Sequence, residues 1–238
     1  MLLEDSSVIH LPSSAAVKIT TLRKNALESS PEVQLDLVRG RVELEVYKGR
    51  SSTTPFDVRT PLSVTGVRGT EFRVGYTPSD ETGQVEVLSG VVQAMGVNDA
   101  QSRPIEKGQG IPFDRTGKAL PIEKLLDAPV FERANVVSNT QTSYALKFSE
   151  LPTANSYTAI SAKSANFLGN RTSQTLPTPT FITQPLSLQA AFYELSAASN
   201  SGVTGTTRRY GFCSIQVDDK VIRCKALFEA PLLNCIQI

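Results

Sequence analysis

Apolar and polar residues alternate with a period of two along much of the first half of the chain. Residues 33–38 show this alternation, Gly40 interrupts it, and residues 42–47 resume it. In the second run three aliphatic residues share one face and two glutamates share the other, as a half-buried strand requires. A second pair of such runs, 84–88 and 91–95, is separated by a Ser–Gly turn. The pattern predicts a domain built from β-strands.

The second half of the chain is richer in Ser, Thr, Asn and Ala, but it also contains strand patterns. They occur at residues 144–148, 156–160 and 190–195. Their spacing and the turn signals between them predict a β-sandwich of about 90 residues. The chain is therefore expected to be all-β.

Turn-rich sequence separates the two halves. The turns are at residues 107–110 and 114–118, and residues 122–126 are predicted to form one short helical turn. These signals predict a β domain at 1–120, a linker at 121–128, a sandwich at 129–227 and a tail at 228–238. The tail fits neither domain, and we expect it to be a truncated continuation of the chain.

Composition supports a packed core and excludes several classes of partner. Of 238 residues, 40% are hydrophobic and none is Trp, so the core must rest on Val, Leu, Ile and Phe. The 24 basic and 23 acidic residues nearly cancel, which gives no electrostatic reason to expect nucleic acid as a partner. No apolar run approaches the roughly 20 residues that a membrane helix needs. The first residues lack the pattern of a signal peptide, and we expect the chain to be a fragment.

Residues suited to catalysis or metal binding are scarce. His10 is the single histidine, and we interpret it as a surface residue of a strand. The sequence contains no GxxxxGK[ST], HExxH or GxSxG motif and no Cys/His spacing suited to zinc. The acidic pairs at 80–81 and 218–219 are explained by turns better than by calcium binding. We therefore predict no catalytic, cofactor or metal residues and no enzymatic activity.

Two of the three cysteines are placed symmetrically about a predicted turn. Cys213 and Cys224 flank a hairpin that turns at Asp218–Asp219, so they should lie directly opposite each other. Directly opposed antiparallel residues have Cα separations of about 4.5–5.5 Å, within the range of a disulfide. We predict a Cys213–Cys224 disulfide in an oxidising compartment, with Cys235 as a free thiol. The alternative is that both are small apolar residues packed in the core.

Residues 58–74 form the most distinctive segment. Two β-rich arms flank a short core in which Gly66 and Gly69 allow a tight path, and Arg68 lies between them. We favour a structural role for Arg68, in which the guanidinium binds backbone carbonyls or the Glu71 carboxylate. The alternative is that Arg68 contacts an acidic partner or a glycan.

This segment resembles the FecR domain family of bacterial envelope proteins. The matching residues, called the signature below, are Thr60, Pro61, Val67, Arg68, Gly69, Thr70 and Phe72. The likeness covers about residues 3–120 and implies a FecR-type β-roll or sandwich in a periplasmic or otherwise extracytoplasmic location. Residues 128–212 are similar to fibronectin type III-like repeats, with Phe148 in the place of the usual core Trp.

The resemblance implies a non-enzymatic binding or scaffold module whose partner is a protein or a cell-wall glycan, with no cofactor. One alternative is signal relay between a transporter and a sigma-factor regulator. The other is an accessory module that binds peptidoglycan or carbohydrate. Regulators of this family carry a cytoplasmic segment and a membrane helix before the FecR domain. Neither is recognisable in this sequence, so their anti-sigma activity is not carried over.

Overall fold

A computed structural model describes residues 1–12, 14–24, 30–50, 54–138, 143–163, 167, 171–183, 191–217, 220–227 and 236–237. Over these residues every helix or strand position belongs to a strand, which confirms the all-β prediction. The same part of the chain contains no helix that could cross a membrane. The chain forms two compact units, Met1–Leu125 with Ser201–Val203, and Leu126–Asn200 with Thr204–Ile238. The finer domain boundaries stay a prediction.

The first unit contains eleven strands in its described residues. They are β1 (Val8–His10), β2 (Ala16–Arg23), β3 (Glu32–Glu45), β4 (Phe56–Arg59), β5 (Ser63–Val67), β6 (Glu71–Thr77), β7 (Thr82–Ser89), β8 (Val91–Gly96), β9 (Arg103–Glu106), β10 (Gln109–Phe113) and β11 (Glu123–Lys124). They form one sheet in the order β11-β10-β7-β6-β3-β4-β5-β8-β9, and β1 and β2 also pair with β3.

The 14-residue strand β3 joins the two halves of this sheet. Its first half pairs with β2 and β4, and its second half pairs with β1 and β6. Gly40 lies between the halves with φ of 84°, and a Cβ there would stand 2.8 Å from the Cα of Ala15. Alternate residues of both halves, such as Leu35 and Leu44, belong to one buried cluster. The sheet therefore curls around a single core.

Strand β11 corrects one expectation from the sequence. Residues 122–126 were predicted to form a helical turn, but Glu123 and Lys124 pair with Gly110 and Gln109 of β10. The helical prediction is wrong because five residues supply too few internal hydrogen bonds to hold a helix. The edge of β10 offers backbone partners instead.

The second unit consists of strands in two sheets. They are β12 (Phe131–Ser138), β13 (Ser143–Phe148), β14 (Ser156–Ala162), β15 (Arg171–Leu176), β16 (Thr180–Ile182), β17 (Ala191–Ala198), β18 (Arg208–Val217), β19 (Lys220–Leu227) and β20 (Ile236–Gln237). One sheet has the order β12-β13-β16 and the other β15-β14-β17-β18-β19-β20. Residues 228–235 and 238 of the predicted tail lie outside the described residues.

Phe148 is the aromatic centre of this unit. Its side chain is fully buried, and its ring stacks on Phe181 with centroids 5.8 Å apart. Phe131 and Tyr210 approach the same ring edge-on at 5.5 Å and 5.2 Å. Such contacts add to the free energy gained from burial of the rings. Phe148 thus occupies a central core position, while the fibronectin type III-like assignment stays a prediction.

Candidate functional site

The first part of the signature closes the turn between β4 and β5. The Thr60 N–H donates to the Ser63 carbonyl at 2.8 Å. The Thr60 hydroxyl oxygen accepts hydrogen bonds from the Leu62 and Ser63 N–H groups at 3.1 Å and 2.9 Å. Pro61 lies in the turn itself, where its restricted φ reduces the entropy lost on folding. These two signature residues therefore build a turn.

The second part of the signature forms the turn between β5 and β6. Gly69 has φ of 60°, and a Cβ at this position would lie 2.9 Å from the Cα of Lys48. Glycine is required here for both reasons. On the other side of the turn, the Val46 N–H donates to the Thr70 carbonyl at 2.8 Å. The turn is therefore held against the 46–48 segment by its backbone.

The apolar signature residues belong to the core of the first unit. Phe72 is fully buried in β6, and Val67 is partly buried against the same cluster. Thr70 is also buried, at 3% exposure. These residues therefore anchor the two turns on the core of the first unit.

Arg68 is the charged residue of the signature, and its side chain is exposed. Among the residues that the structure describes, the Arg68 guanidinium makes no hydrogen bond or ion pair, so the expected contact with Glu71 or a carbonyl is not found. Lys48 is exposed beside the Gly69 backbone. Tyr47, which precedes Lys48 in the chain, is 50% exposed. Val91 is 48% exposed and follows Gly90, which packs against Thr70. We call Tyr47, Lys48, Arg68 and Val91 the Arg68 surface.

A group of alternating charges lies across β3, β6 and β7. The register places Glu43, Arg73 and Glu86 side by side on these three strands. Arg73 donates from Nε to Glu43 at 2.8 Å, and Arg41 donates from Nη2 to Glu86 at 2.8 Å. Burial lowers the pKa of Arg41, and the Glu86 carboxylate opposes that shift. Opposite charges on neighbouring strands thus compensate the buried Arg73 and Glu86 side chains.

A second buried ion pair was not found by reasoning from the sequence. Arg50 donates from Nη1 to the Asp5 carboxylate at 2.5 Å, and both side chains are buried. Burial lowers the pKa of Arg50, while Asp5 acts in the opposite direction. The same guanidinium donates to the carbonyls of Pro31, Thr54 and Pro55.

Arg50 therefore joins segments that are far apart in the sequence. It also lies over the Phe56 ring, with its Cζ 5.1 Å from the ring centroid. Asp5 accepts a further hydrogen bond from the Ser7 N–H at 3.0 Å. No sequence spacing signals this arrangement, because the partners of Arg50 come from three separate loops.

His10 lies where the sequence analysis expected, in a strand and near the surface. Its Nε2 is 3.1 Å from Glu45 Oε1, and both side chains are partly exposed. Within the described part of the chain, no group of three or more His, Cys, Asp or Glu side chains is arranged to hold a metal ion.

The backbone register of β18 and β19 pairs Cys213 with Cys224. It also pairs Ile215 with Ile222, as a hairpin centred on Asp218–Asp219 requires. The turn residues and Cys235 lie outside the described residues. The disulfide itself stays a prediction.

Comparison with known proteins finds a family that the first part of the chain resembles. Residues 1–93 match the family model described as FecR protein. This part of the chain is similar to FecR domains. The match includes the entire signature and therefore both turns and the Arg68 surface. Proteins of this family are associated with the bacterial envelope.

Solved structures show a more distant likeness. Two crystal structures of a "putative anti-sigma factor" from Parabacteroides distasonis ATCC 8503, at 1.65 Å and 2.50 Å resolution, align with this chain. Each shares 22% sequence identity with it at a TM-score of 0.42, over 52% of this chain and 54% of the other. The alignment thus spans about half the length of that protein. No curated protein matches the sequence.

Proposed function

We propose that the FecR domain of this chain is a non-enzymatic protein-binding module that relays signals in the bacterial envelope. Its partner would be a protein with an acidic surface, bound through the Arg68 surface, and its location would be periplasmic. The observation that carries this proposal is the exposure of Arg68 on a turn whose other signature residues serve the fold.

The chemistry of Arg68 suits this role. A guanidinium presents five N–H donors in a rigid fork, which matches carboxylate groups. Because the Val67–Thr70 turn is held by Gly69 and by the Val46–Thr70 hydrogen bond, little backbone entropy is lost when a partner binds. Tyr47 adds an exposed ring, and Tyr and Arg are among the residue types that contribute most to binding at protein interfaces.

Site-specific crosslinking tests the proposal. A photoreactive amino acid at Val91, in the chain exported to the periplasm, should give an adduct with a protein. Arg68→Glu should reduce that adduct about tenfold, because it reverses the charge at the centre of the surface. Arg115→Glu is the matched control, since Arg115 is also an exposed arginine in a turn of the first unit.

Stability must stay constant for this comparison to be valid. Arg68→Glu should change the unfolding midpoint no more than Arg115→Glu does, because neither side chain is buried. Equal adduct yields from both variants would refute the Arg68 surface as the binding site. Retention of the chain on purified peptidoglycan, with no protein adduct, would favour the glycan-binding alternative.

We also propose that Cys213 and Cys224 form a disulfide once the chain is in an oxidising compartment. Their opposed backbone positions support the pairing, and the envelope association of FecR proteins supports the compartment. A disulfide that closes a hairpin of this size should stabilise the second unit by about 2–4 kcal/mol.

Mass spectrometry of the exported chain under non-reducing conditions checks the disulfide. The expected product is one crosslinked pair of peptides containing Cys213 and Cys224. Cys235→Ser should leave this product unchanged, whereas Cys213→Ser should abolish it. Recovery of all three cysteines as free thiols after export would refute the disulfide.

A further inference from the structure

Strand β2 is a long strand at the edge of the first unit's sheet. It has eight residues and pairs along one side with β3. Its other side has no strand partner in the part of the chain that the structure describes. The backbone N–H and C=O groups along such an edge can pair with an extended segment of another chain.

The other edges of this sheet are protected in ways that β2 is not. Strands β1 and β11 have only three and two residues. The four-residue strand β9 contains Pro104, which has no N–H to donate, and its Arg103 binds the carbonyls of Ala119 and Leu120. Short length and proline are common means of blocking strand addition at an edge.

Apolar side chains of β2 remain exposed beside the core. Ile19 lies opposite Leu35 and Leu22 opposite Val33, and both β3 residues are buried. A register shift at Thr20 keeps Ile19 and Leu22 on the same, core-facing side of the strand. Even so, Ile19 is 44% exposed and Leu22 51% exposed. An added strand would cover them.

The charge of β2 indicates what kind of strand would bind. On the outer side of the strand Lys18 lies opposite Asp36, whereas Arg23 forms an ion pair with Glu32 at 2.8 Å and Lys24 forms one with Glu4 at 3.2 Å. Residues 16–24 contain no acidic residue. Because these two ion pairs are exposed and therefore weak, an acidic segment placed along the open edge would still be attracted, first of all by Lys18.

The same charges disfavour pairing of β2 with a second copy of itself. In an antiparallel pair that places Ile19 opposite Leu22 of the other copy, Lys18 would face Arg23. Like charges directly opposite each other destabilise a strand pair. Two copies of β2 are thus disfavoured in the register that would best bury their apolar residues.

We propose that β2 binds an extended segment of a protein partner by strand addition. The segment would alternate apolar residues, which cover Ile19 and Leu22, with acidic residues, which face Lys18 and Arg23. This proposal goes beyond the proposed function and uses different residues from the Arg68 surface.

A designed peptide tests the proposal on the full chain. The probe is an eight-residue peptide of alternating Glu and Val with blocked ends. A peptide of alternating Lys and Val and a Glu–Val peptide with one central proline serve as comparators. The Glu–Val peptide should bind, and it should slow amide hydrogen exchange in residues 16–23. The Lys–Val peptide should bind at least about tenfold more weakly, because its charges are repelled by the cations of β2. The proline peptide should also bind at least about tenfold more weakly, because proline has no backbone N–H to pair with the edge of β2.

Variants locate the binding on β2. Two variants should each weaken binding of the Glu–Val peptide by about tenfold. One is Lys18→Glu, and the other combines Ile19→Ser with Leu22→Ser. The matched controls are Lys107→Glu and Val97→Ser, which alter an exposed lysine and an exposed apolar residue elsewhere in the same unit. Both controls should bind the peptide as the unmodified chain does.

The failures of this proposal and of the proposed function can be told apart. Arg68→Glu should leave peptide binding at β2 unchanged, and Lys18→Glu should leave the Val91 crosslink unchanged. Equal affinity for the Glu–Val and Lys–Val peptides would overturn the strand-addition proposal. Exchange protection outside residues 16–23, or a dimer of the chain that the Ile19→Ser/Leu22→Ser variant abolishes, would also overturn it.

Discussion

Replacing Arg50 with methionine should lower the free energy of unfolding of the first unit by about 3–5 kcal/mol. The substitution keeps most of the side-chain volume but leaves the buried Asp5 carboxylate without its cation. It also removes the donors that the carbonyls of Pro31, Thr54 and Pro55 now have. Urea denaturation of the full chain, with amide exchange to separate the two units, measures the loss.

Two further variants show whether the loss comes from the ion pair. Arg115→Met, at an exposed arginine, should change stability by less than about 0.5 kcal/mol. Adding Asp5→Asn to Arg50→Met should recover at least about 1 kcal/mol, because the uncompensated charge is then gone. A loss below about 1 kcal/mol for Arg50→Met would show that the pair does not stabilise the fold as we infer.

Replacing Phe72 with alanine should cost about 3–5 kcal/mol of unfolding free energy. The ring is fully buried in the core of the first unit, so its removal loses apolar contacts and leaves a cavity. Thermal or urea unfolding of the full chain measures the effect.

Arg68→Ala is the matched comparison within the same signature. Since the Arg68 side chain is exposed, its removal should change stability by less than about 0.5 kcal/mol. The pair of variants thus separates the part of the signature that serves the fold from the part that we assign to binding. A loss above about 2 kcal/mol for Arg68→Ala would instead support the structural role for Arg68 that the sequence predicts.

Much of the fold could be predicted because strand patterns are local. The alternation at residues 42–46 reports directly which side chains face the core, and Val42, Leu44 and Val46 are all buried. The position of Cys213 relative to Cys224 followed from the symmetry of a single hairpin. The two-residue strand β11 was missed because so short a strand depends on the edge of β10 and leaves no period of its own.

The candidate site could be located but its roles could not be assigned. The signature marks residues 60–72, yet whether its arginine binds within the fold or faces outward depends on which groups surround it. The charged group around Glu86 could not be predicted from the sequence either, because its residues come from three strands and are brought together only by the strand register.

The strand content, the FecR resemblance and the residues of the signature could all be read from the amino-acid sequence. These depend on side-chain periodicity and on short motifs, which are properties of neighbouring residues. The three-dimensional arrangement was needed to show that Arg50 is buried with Asp5, that Arg68 is exposed, and that one edge of β2 has no strand partner among the described residues. The physical reason is that burial, charge compensation and strand pairing depend on groups distant in the chain, which come together only when the sheet curls around its core.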